Sequence, residues 1–364
     1  MNILFIITGL GVGGAERQVV DLADELTKLG HSVKLAYFLS EKTTVLKSPN
    51  FDVIDLGNNK NNAFAFIFGF FSLIKLIKKM KPDVIHAHMF HSIILSRLSR
   101  IFAKQSKLVC TSHSSYDGGK ARMFAYRATS FLGDVFTNVS HKAVNNFEAR
   151  GAAKKGTMLT VLNGIDINKF YFSYERRSAA RVPLQTNKKL ILSVGRFHKA
   201  KDYPNLLHAF SLICNERSDV ELWIVGDGDL KKDIEQLIFK LNLTGYVKLL
   251  GIRNDIPDLM NASDVYALSS AWEGFGLVVA EAMATERVVV ATDCGGVKEV
   301  IGECGFLVPT EDPELFAISL KKALNLEVEE RQKLGVMARL RVKEKYSLRT
   351  VAKKWLAVYS NINV

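Results

Sequence analysis

The chain has 364 residues and a formal net charge of +12 at pH 7, and this length is enough for two domains of ordinary size. With 48% hydrophobic and 24% charged residues, the composition is that of a globular protein and not of a disordered one. The four cysteines form no C-x-x-C pair, which excludes an obvious zinc or redox motif and fits a reducing compartment. An apolar run begins at Ile3 without a basic region before it, so we expect no signal peptide and a cytoplasmic protein.

The excess positive charge lies in the first half of the chain. Residues 1–180 contain 24 Lys and Arg against 13 Asp and Glu, whereas residues 181–364 contain 25 against 24. A basic half can bind nucleic acid, an anionic membrane surface or a phosphate-bearing substrate. The sequence has no zinc-finger, RNP or helix-turn-helix signature, so we expect no nucleic-acid partner.

Strand and helix patterns alternate along both halves. In the first half, apolar runs predict strands at residues 3–8, 32–37, 53–56, 83–88, 107–111 and 135–139. In the second half, they predict strands at residues 190–194, 220–225, 247–250, 265–268, 288–291 and 306–308. Short, continuous apolar runs separated by helices are typical of parallel sheets. The fold class is therefore α/β, with two Rossmann-like, doubly wound domains.

The domain limits follow from the same pattern. We place the first domain at residues 1–165, a polar linker at 166–188 and the second domain at 189–345. The last helical segment, 346–364, has no strand after it and is expected to cross back onto the first domain. Ligands of open parallel sheets bind beyond the carboxyl ends of the strands. The two domains are therefore expected to face each other across a cleft that holds the site.

The first loop, residues 9–14 (GLGVGG), follows a predicted strand and opens a helix. This is the right context for a dinucleotide-binding fingerprint, but the acid expected at the end of the second strand is missing and Glu41 comes late. Three interpretations are open: an NAD-dependent enzyme, a purely structural tight turn, and glycines that bring backbone N–H groups close to a phosphate or an acceptor.

Residues 63–74 form an uncharged, Phe-rich run that is followed by Lys75, Lys78, Lys79 and Lys81. The run is too short to span a bilayer, which needs about 20 apolar residues. An interfacial helix with a fringe of lysines fits the pattern, and a core helix between two strands fits it equally well. Both can hold if one face of the helix is exposed.

His113 ends the fifth predicted strand, so we expect it to point towards the site. We interpret His86, His88 and His91 as ordinary structural residues, since lone histidines are usually structural. Residues 227–229 have the D-x-D form that can hold a metal. They lie between a strand and a helix predicted to start at Leu230, so we interpret them as helix caps and expect no metal.

In the second half, residues 195–201 (GRFHKAK) follow the first predicted strand. Arg196 and Lys201 would project from the carboxyl edge of the sheet, where two cations can hold a diphosphate. A solvated basic loop is the alternative.

The most informative stretch is residues 273–281, in which Glu273 and Glu281 flank a Gly-Phe-Gly turn. A strand, a glycine turn and then a helix leave free N–H groups at the helix start, which is a ready anion site. An acid, a phosphate-binding turn and a second acid suit a ligand with a phosphate in the middle and hydroxyls at both ends, such as a nucleotide-sugar. The alternative is a helix with a capping acid and an exposed glutamate.

Together these motifs resemble the retaining glycosyltransferases of family 4, of the bacterial surface-polysaccharide type, which have the GT-B fold. The resemblance runs over nearly the whole chain, and the E-x7-E spacing of Glu273 and Glu281 is its most specific element. The other matching elements, in order, are residues 13–16 (GGAE), 163–166 (NGID), Gly195-Arg196 with Lys201, and 225–228 (VGDG).

The resemblance implies roles for individual residues. Arg196 and Lys201 would neutralise the departing nucleotide diphosphate, while Glu273 would bind the donor sugar and Glu281 the ribose. Gly14 would let the diphosphate or the acceptor approach closely. The catalytic residues implied are His113, Glu273, Arg196 and Lys201; the donor-binding residues are Gly14, Arg196, Lys201, Glu273, Phe275, Gly276, Leu277, Val278 and Glu281; the acceptor-binding residues are Gly13, Gly14, Lys120 and Arg122.

The implied activity is transfer of a sugar, with retention, from a UDP-hexose or UDP-N-acetylhexosamine. The acceptor would be a polyprenyl-diphosphate-linked saccharide of O-antigen, capsule or other surface-polysaccharide biosynthesis, including lipopolysaccharide. Residues 1–165 would bind the acceptor and residues 189–345 the nucleotide-sugar, with no metal or other cofactor. The basic first half and the Phe-rich run suggest peripheral association with the inner face of the cell membrane. The alternatives are a non-catalytic nucleotide-sugar-binding module and an NAD-dependent oxidoreductase.

Overall fold

The computed structural model describes residues 1–11, 13–39, 50–57, 63–103, 107–182 and 187–360, with only the backbone described at Ala63. The chain divides into two compact units, one formed by Met1–Gly164 with Leu348–Val364 and the other by Ile165–Ser347. No helix in these described ranges is long and apolar enough to cross a bilayer.

The first unit contains a seven-stranded parallel sheet with the order β3-β2-β1-β4-β5-β6-β7. The strands are β1 (Asn2–Gly9), β2 (Ser32–Leu39), β3 (Asp52–Asp55), β4 (Val84–His88), β5 (Lys107–Ser112), β6 (Val135–Asn138) and β7 (Met158–Thr160). Six of them confirm predicted strands. The short edge strand β7 was not predicted, because three residues carry no recognisable pattern.

Helices cover both faces of this sheet. They are α1 (Gly14–Lys28), α2 (Ala63–Met80), α3 (Phe90–Ser99), α4 (Lys120–Ala128) and α5 (His141–Ala149), and the C-terminal helix Leu348–Tyr359 belongs to the same unit. One apolar core joins the sheet to α2–α5, and a second core joins its other face to α1 and the C-terminal helix. The central strands β4 and β5 are buried along their whole length, as expected for a parallel sheet that helices cover on both faces.

The second unit contains a six-stranded parallel sheet with the order β10-β9-β8-β11-β12-β13. Its strands are β8 (Lys189–Val194), β9 (Val220–Val225), β10 (Val247–Leu249), β11 (Val265–Leu268), β12 (Val288–Thr292) and β13 (Phe306–Val308). Its helices are α6 (Tyr174–Arg181), α7 (Tyr203–Cys214), α8 (Lys231–Lys240), α9 (Ile256–Ala262), α10 (Leu277–Ala284), α11 (Val297–Ile301), α12 (Pro313–Leu324) and α13 (Val328–Lys345); the C-terminal helix Leu348–Tyr359 is α14. All six strands confirm predicted ones.

Helix α6 lies within residues 166–188, the segment for which we predicted a linker. Arg177 and Arg181 on α6 each bind the carboxylate of Asp264, the residue before β11, at 2.6 Å. Arg177 also donates to the carbonyls of residues 261–263 at the end of α9, where helix carbonyls lack partners of their own. The segment is therefore an integral part of the second unit.

Each sheet has one point at which the strand order reverses. In the first unit this point lies between β1 and β4, and in the second unit it lies between β8 and β11. Ligands of doubly wound sheets bind at these switch points, beyond the carboxyl ends of the strands. The loops after β1, β8 and β11 are the ones in which the sequence motifs lie.

Candidate functional site

The centre of the candidate site is an ion pair in the second unit. Lys201, in a short 3₁₀ turn (Lys199–Lys201) after β8, donates to Oε1 of Glu273 with a Nζ–Oε1 distance of 2.5 Å. The hydroxyl of Ser270 donates to the same oxygen at 2.8 Å. The two charged side chains are only 20% and 15% exposed, so the pair lies in a partly desolvated place where charge interactions are strong. The sequence predicted both residues, and the structure brings them together.

Two hydrogen bonds fasten the loops that carry this pair. The backbone N–H of Ala271 donates to the carbonyl of Ala200 at 2.9 Å, and the hydroxyl of Ser269 donates to the carbonyl of Lys201 at 2.8 Å. These bonds tie the loop after β8 to the loop after β11 and so hold Lys201 against Glu273.

The loop that presents Arg196 packs closely against the turn after β9. The N–H groups of Gly195 and Phe197 donate to the carbonyls of Val225 and Asp227, both at 2.9 Å. Gly226 has a φ of +149°, and a Cβ there would lie 1.9 Å from the carbonyl oxygen of Gly195. The VGDG motif is thus a close backbone contact that only glycine permits.

Arg196 itself is exposed, and within the described part of the chain no acid pairs with its guanidinium. Lys201, the second cation that we expected to hold a diphosphate, is paired with Glu273. The structure therefore provides one cation that is held in place and one on the surface at the same sheet edge.

The helix behind Glu273 begins at a left-handed glycine. Gly276 has φ +89° and ψ 51°, and no side chain caps the helix that starts at Leu277. The first N–H to bond back within the helix is that of Val279, to the carbonyl of Gly276 at 3.0 Å. The N–H groups of Leu277 and Val278 precede it, in the position from which a helix start binds an anion.

The loop after β12 supports this turn from behind. Gly295 has φ +53°, and a Cβ there would lie 1.9 Å from the carbonyl oxygen of Glu273. The N–H of Gly296 donates to the carbonyl of Gly274 at 3.2 Å. The side chain of Phe275 is buried with its ring 5.5 Å from that of Tyr346, so a contact of this residue with a donor would come from its backbone.

Glu281 is 2% exposed on a helix that is otherwise almost entirely apolar. Burial raises the pKa of the neighbouring Tyr266 well above its ordinary value, and the charges of Tyr203, Glu281 and Glu273 raise it further. Because Glu281 is buried, the alternative in which it is an exposed surface residue is wrong.

Two tyrosines that the sequence interpretation missed support the same edge. The hydroxyl of Tyr203 donates to the carbonyl of Gly195 at 2.9 Å, and that of Tyr266 to the carbonyl of Val194 at 3.4 Å. Burial raises the pKa of Tyr203 as well. Both hold the backbone just before Arg196. The only signal in the sequence that could have identified Tyr203 is its position two residues after Lys201.

In the first unit, the glycine loop lies beside the carboxylate of Glu16. Gly13 is the residue before α1, and a Cβ placed on it would lie 2.2 Å from Oε2 of Glu16. An anion that approached Gly13 would therefore meet the Glu16 carboxylate, which already stabilises the helix start. A Cβ on Gly14 would meet nothing within 4 Å, so packing does not require glycine there. Val12 lies outside the described residues.

His113 contacts one of the histidines that we interpreted as ordinary. Its Nε2 lies 3.0 Å from Nδ1 of His88, at the end of the adjacent strand β4. His86 is a structural residue, with one ring nitrogen 2.7 Å from the hydroxyl of Tyr359 and the other 2.7 Å from Oγ1 of Thr111. His86 is structural, as we interpreted it, whereas His88 contacts His113, a predicted site residue of the same unit.

These histidines are neutral at physiological pH. Burial lowers the pKa of His113 to about 4, and burial together with the neighbouring histidines lowers the pKa of His86 and of His88 well below the ordinary value. In a neutral pair, one ring donates a proton to the other. Nδ1 of His113 is buried and has no partner in the described part of the chain.

The two predicted acceptor residues on α4 differ in how firmly they are held. Arg122 pairs with Asp117 at 3.4 Å, and its guanidinium lies 4.7 Å from the centroid of the Phe90 ring. Lys120, the first residue of α4, is exposed.

The capping interpretation of Asp227 and Asp229 is wrong. Oδ1 of Asp227 accepts from the N–H of Gly228, and α8 begins at Lys231 without a side-chain cap. Asp227 therefore shapes the glycine turn. In the described ranges, no group of three or more His, Cys, Asp or Glu side chains is arranged to hold a metal.

Comparisons with known proteins agree with this architecture. Residues 175–341 match the family described as glycosyl transferases group 1, and residues 12–169 match glycosyltransferase family 4. The chain is 25% identical to N-acetyl-alpha-D-glucosaminyl L-malate synthase of Bacillus anthracis, over 96% of this chain and 94% of that protein. It is 28% identical to UDP-Gal:alpha-D-GlcNAc-diphosphoundecaprenol alpha-1,3-galactosyltransferase of Escherichia coli, over 68% of each.

Solved structures show the same fold. Alr3699/HepE of Anabaena, crystallised with UDP and glucose, superposes with a TM-score of 0.88 over 100% of both chains at 22% identity. WaaG, a glycosyltransferase involved in lipopolysaccharide biosynthesis, superposes with a TM-score of 0.76 at 19% identity over 98% of this chain and 99% of that one. Two doubly wound parallel sheets of this kind are the architecture of the GT-B fold. With both halves matched, the chain belongs to the family 4 glycosyltransferases.

Proposed function

We propose that the protein transfers a sugar, with retention, from a UDP-hexose or UDP-N-acetylhexosamine to a polyprenyl-diphosphate-linked saccharide. The reaction would serve O-antigen, capsule or another surface polysaccharide. The Escherichia coli relative is named for a UDP-galactose donor and a diphosphoundecaprenol-linked acceptor, and Alr3699/HepE was crystallised with UDP-glucose. These names support the donor and acceptor classes proposed for this chain.

The observation that carries the proposal is the Lys201–Glu273 pair beside the start of α10. A positive side chain, a held carboxylate and helix N–H groups lie at one switch point of the second sheet. A nucleoside diphosphate with a sugar needs these groups: cations and N–H donors for the phosphates, and a carboxylate for the hydroxyls.

The chemistry follows from where charge develops. When the bond between the sugar and the phosphate breaks, negative charge grows on the diphosphate, and groups already aimed at it lower the barrier most. In our proposal Lys201 and Arg196 carry out this stabilisation together with the N–H groups of Leu277 and Val278. The reaction would need no metal.

The two glutamates would bind different parts of the donor. Glu273, with one oxygen held by Lys201 and Ser270, would accept from hydroxyls of the transferred sugar. Glu281, buried about one turn inside α10, would accept from the ribose. His113 would contact the transferred sugar as a neutral hydrogen-bonding group, since the pKa of its ring is lowered to about 4.

Retention would arise without a covalent intermediate. A retaining hydrolase uses a second carboxylate as its nucleophile, but Glu273 is tied to a lysine and Glu281 is assigned to the ribose. We therefore propose departure of the diphosphate and attack of the acceptor on the same face of the sugar, with the departing phosphate taking the proton of the acceptor hydroxyl.

A donor screen tests the proposal. UDP- and GDP-linked hexoses and N-acetylhexosamines are incubated with and without a polyprenyl-diphosphate saccharide, and nucleotide release is measured. We expect acceptor-dependent release of UDP from one donor and an α-linked product by NMR. Binding of UDP without turnover of any donor would indicate a non-catalytic module, and tight binding of NAD with none of UDP would indicate an oxidoreductase. Either result would reject the proposal.

The proposed acceptor lies in a membrane, so the enzyme has to work at its surface. The positive charge of residues 1–180 supports an anionic surface as the partner. We accordingly propose a cytoplasmic protein that associates peripherally with the inner face of the cell membrane.

A further inference from the structure

Helix α2 has a buried face and an exposed face, and both are apolar in its first half. Ala65, Gly69, Leu73 and Ile77 recur every fourth residue and face the core, as a helix packed on a sheet requires. The opposite face exposes large apolar side chains instead of polar ones. The core-helix interpretation is confirmed for the buried face, and the exposed apolar face is the one that an interfacial helix requires.

The exposed side chains form a patch that extends beyond α2. The ring of Phe70 lies 5.8 Å from that of Phe71 and 5.9 Å from that of Phe102, which follows α3. We call the exposed set the α2 patch, and its members are between 49% and 66% exposed: Phe64, Ile67, Phe68, Phe71, Ile101 and Phe102. Contiguous apolar side chains of this size on a surface mark a binding site for a partner or a membrane.

The charges beside the patch identify the partner. The exposed face of α2 continues from Phe71 to Lys75, Lys78 and Lys79, and Lys81 follows the helix. Residues 63–82 contain no acid. An apolar face with a fringe of lysines is the pattern of a helix that lies in the membrane interface, where rings enter the acyl boundary and lysines reach anionic headgroups.

A second copy of the chain fits the patch less well. A symmetric dimer would bring the same surface of both subunits together, and with it two sets of four lysines. Like charges brought together at an interface oppose association. Anionic lipid, by contrast, neutralises the lysines.

The position of α2 in the fold places the α2 patch near the carboxyl edge of the first sheet. Helices that follow parallel strands begin at the carboxyl edge of the sheet, so Phe64, Ile67 and Phe68 lie in the turns of α2 nearest to that edge. His113 follows β5 at the same edge of the same sheet. A membrane held by the patch would lie beside the edge at which ligands of this unit bind.

We propose that the α2 patch inserts into the interface of an anionic membrane, with Lys75, Lys78, Lys79 and Lys81 on the lipid headgroups. The inference rests on the proposed lipid-linked acceptor for its purpose, but its test does not depend on catalysis.

The test is flotation of the full chain with two kinds of vesicle, phosphatidylcholine alone and phosphatidylcholine with phosphatidylglycerol. We expect the wild type to prefer the anionic vesicles. Phe71→Glu should lower the partition coefficient about tenfold or more, because a charge replaces a ring in the acyl boundary. The matched control is Phe239→Glu, since Phe239 is 78% exposed on α8 of the second unit; it should bind as the wild type does.

The lysines are tested separately. Replacing Lys78 and Lys79 together by Gln should lower binding to the anionic vesicles about tenfold and leave binding to neutral ones nearly unchanged. The matched control is the same change at Lys231 and Lys232, two exposed residues at the start of α8.

Several outcomes would overturn the inference. These are a wild type that does not float, a Phe71→Glu variant that floats as the wild type does, and a dimer in sedimentation analysis that Phe71→Glu dissociates. Acceptor-dependent UDP release is measured on the same variants in the absence of vesicles and should be unchanged. If the wild type shows no turnover with any donor and acceptor, the proposed function is rejected, but the flotation result still stands.

Discussion

The carboxyl edges of the two sheets share a topology but differ in their side chains. In the second unit, the switch point between β8 and β11 carries an ion pair, an exposed arginine and an uncapped helix start. In the first unit, the edge carries a pair of neutral histidines and a glycine loop whose helix start is already covered by the Glu16 carboxylate. The edge of the second unit therefore carries two cations, whereas the edge of the first unit carries neutral rings and a carboxylate.

The difference shows which chemistry each edge suits. A held lysine, an exposed arginine and helix N–H groups suit a diphosphate, so the second unit provides the stronger anion site. Neutral rings suit hydroxyl groups, to which they can donate or from which they can accept. The fold supplies the position of an edge, and only its side chains determine the ligand.

The largest effect is expected at the charged edge. Lys201→Ala should lower turnover by roughly 10²–10³-fold, because a group aimed at the departing diphosphate is lost. The measurement is UDP release from the best donor, with thermal unfolding to show that the fold is intact. Lys199→Ala, an exposed lysine in the same turn, is the matched control and should be nearly silent. Near-normal turnover of Lys201→Ala would show that the cation of the second unit's edge does not stabilise the departing diphosphate.

The support behind Glu273 is tested by Gly295→Ala. The added Cβ would lie 1.9 Å from the Glu273 carbonyl oxygen at a φ of +53°, so the loop has to shift. We expect a loss of about 2–4 kcal/mol in the free energy of unfolding, with lower turnover. Gly245→Ala is the control, since its Cβ would meet nothing within 4 Å. Equal stability of the two variants, measured by urea denaturation, would show that Glu273 is not held by this contact.

The buried histidine pair of the first unit predicts a pH dependence of stability. Unfolded His113 takes up a proton below pH 6.5, whereas burial keeps the folded residue neutral down to about pH 4. The unfolded chain therefore binds more protons between these values, and stability falls as the pH is lowered through them. The contribution of His113 is on the order of 1–3 kcal/mol.

Urea denaturation at pH 7.5 and pH 5 measures this loss. In His113→Gln, which cannot be protonated, the loss should be smaller than in the wild type. A variant with the same pH dependence as the wild type would mean that His113 is protonated in the folded protein at pH 5.

The smallest effect is expected at Arg122. Its side chain is 43% exposed and its ion pair with Asp117 is long, so Arg122→Ala should change stability by less than about 1 kcal/mol. If Arg122 binds the acceptor, the KM for the lipid-linked saccharide should rise several-fold while the KM for the donor stays constant. A change in the donor KM instead would show that Arg122 acts on the donor and not on the acceptor.

Much of the fold could be predicted because buried parallel strands have a plain signature. β4 and β12 are runs of residues buried on both faces, and such runs are visible in the sequence. β7 has only three residues, with an exposed Leu159 at its centre, and no pattern marks it. The role of α6 was also hidden, because Arg177 and Arg181 act through Asp264, which is more than 80 residues away.

The candidate site could be predicted where spacing along the chain decides geometry. Glu273, Gly276 and Glu281 belong to one turn and one helix, so their arrangement is local. The contact between His88 and His113 depends on the register of two neighbouring strands, which no local pattern gives. The contacts of Tyr203 and Tyr266 with the carbonyls before Arg196 depend in the same way on packing across the sheet edge.

Binding of a diphosphate at the edge that carries Lys201 and Glu273 is the central property proposed for this protein. Calorimetric titration of UDP and of uridine into the wild type and into Lys201→Ala tests it most directly. We predict that the substitution weakens UDP binding about tenfold or more, as expected for a lost charge-assisted contact, and leaves uridine binding unchanged. Equal affinity of the two proteins for UDP would contradict the account.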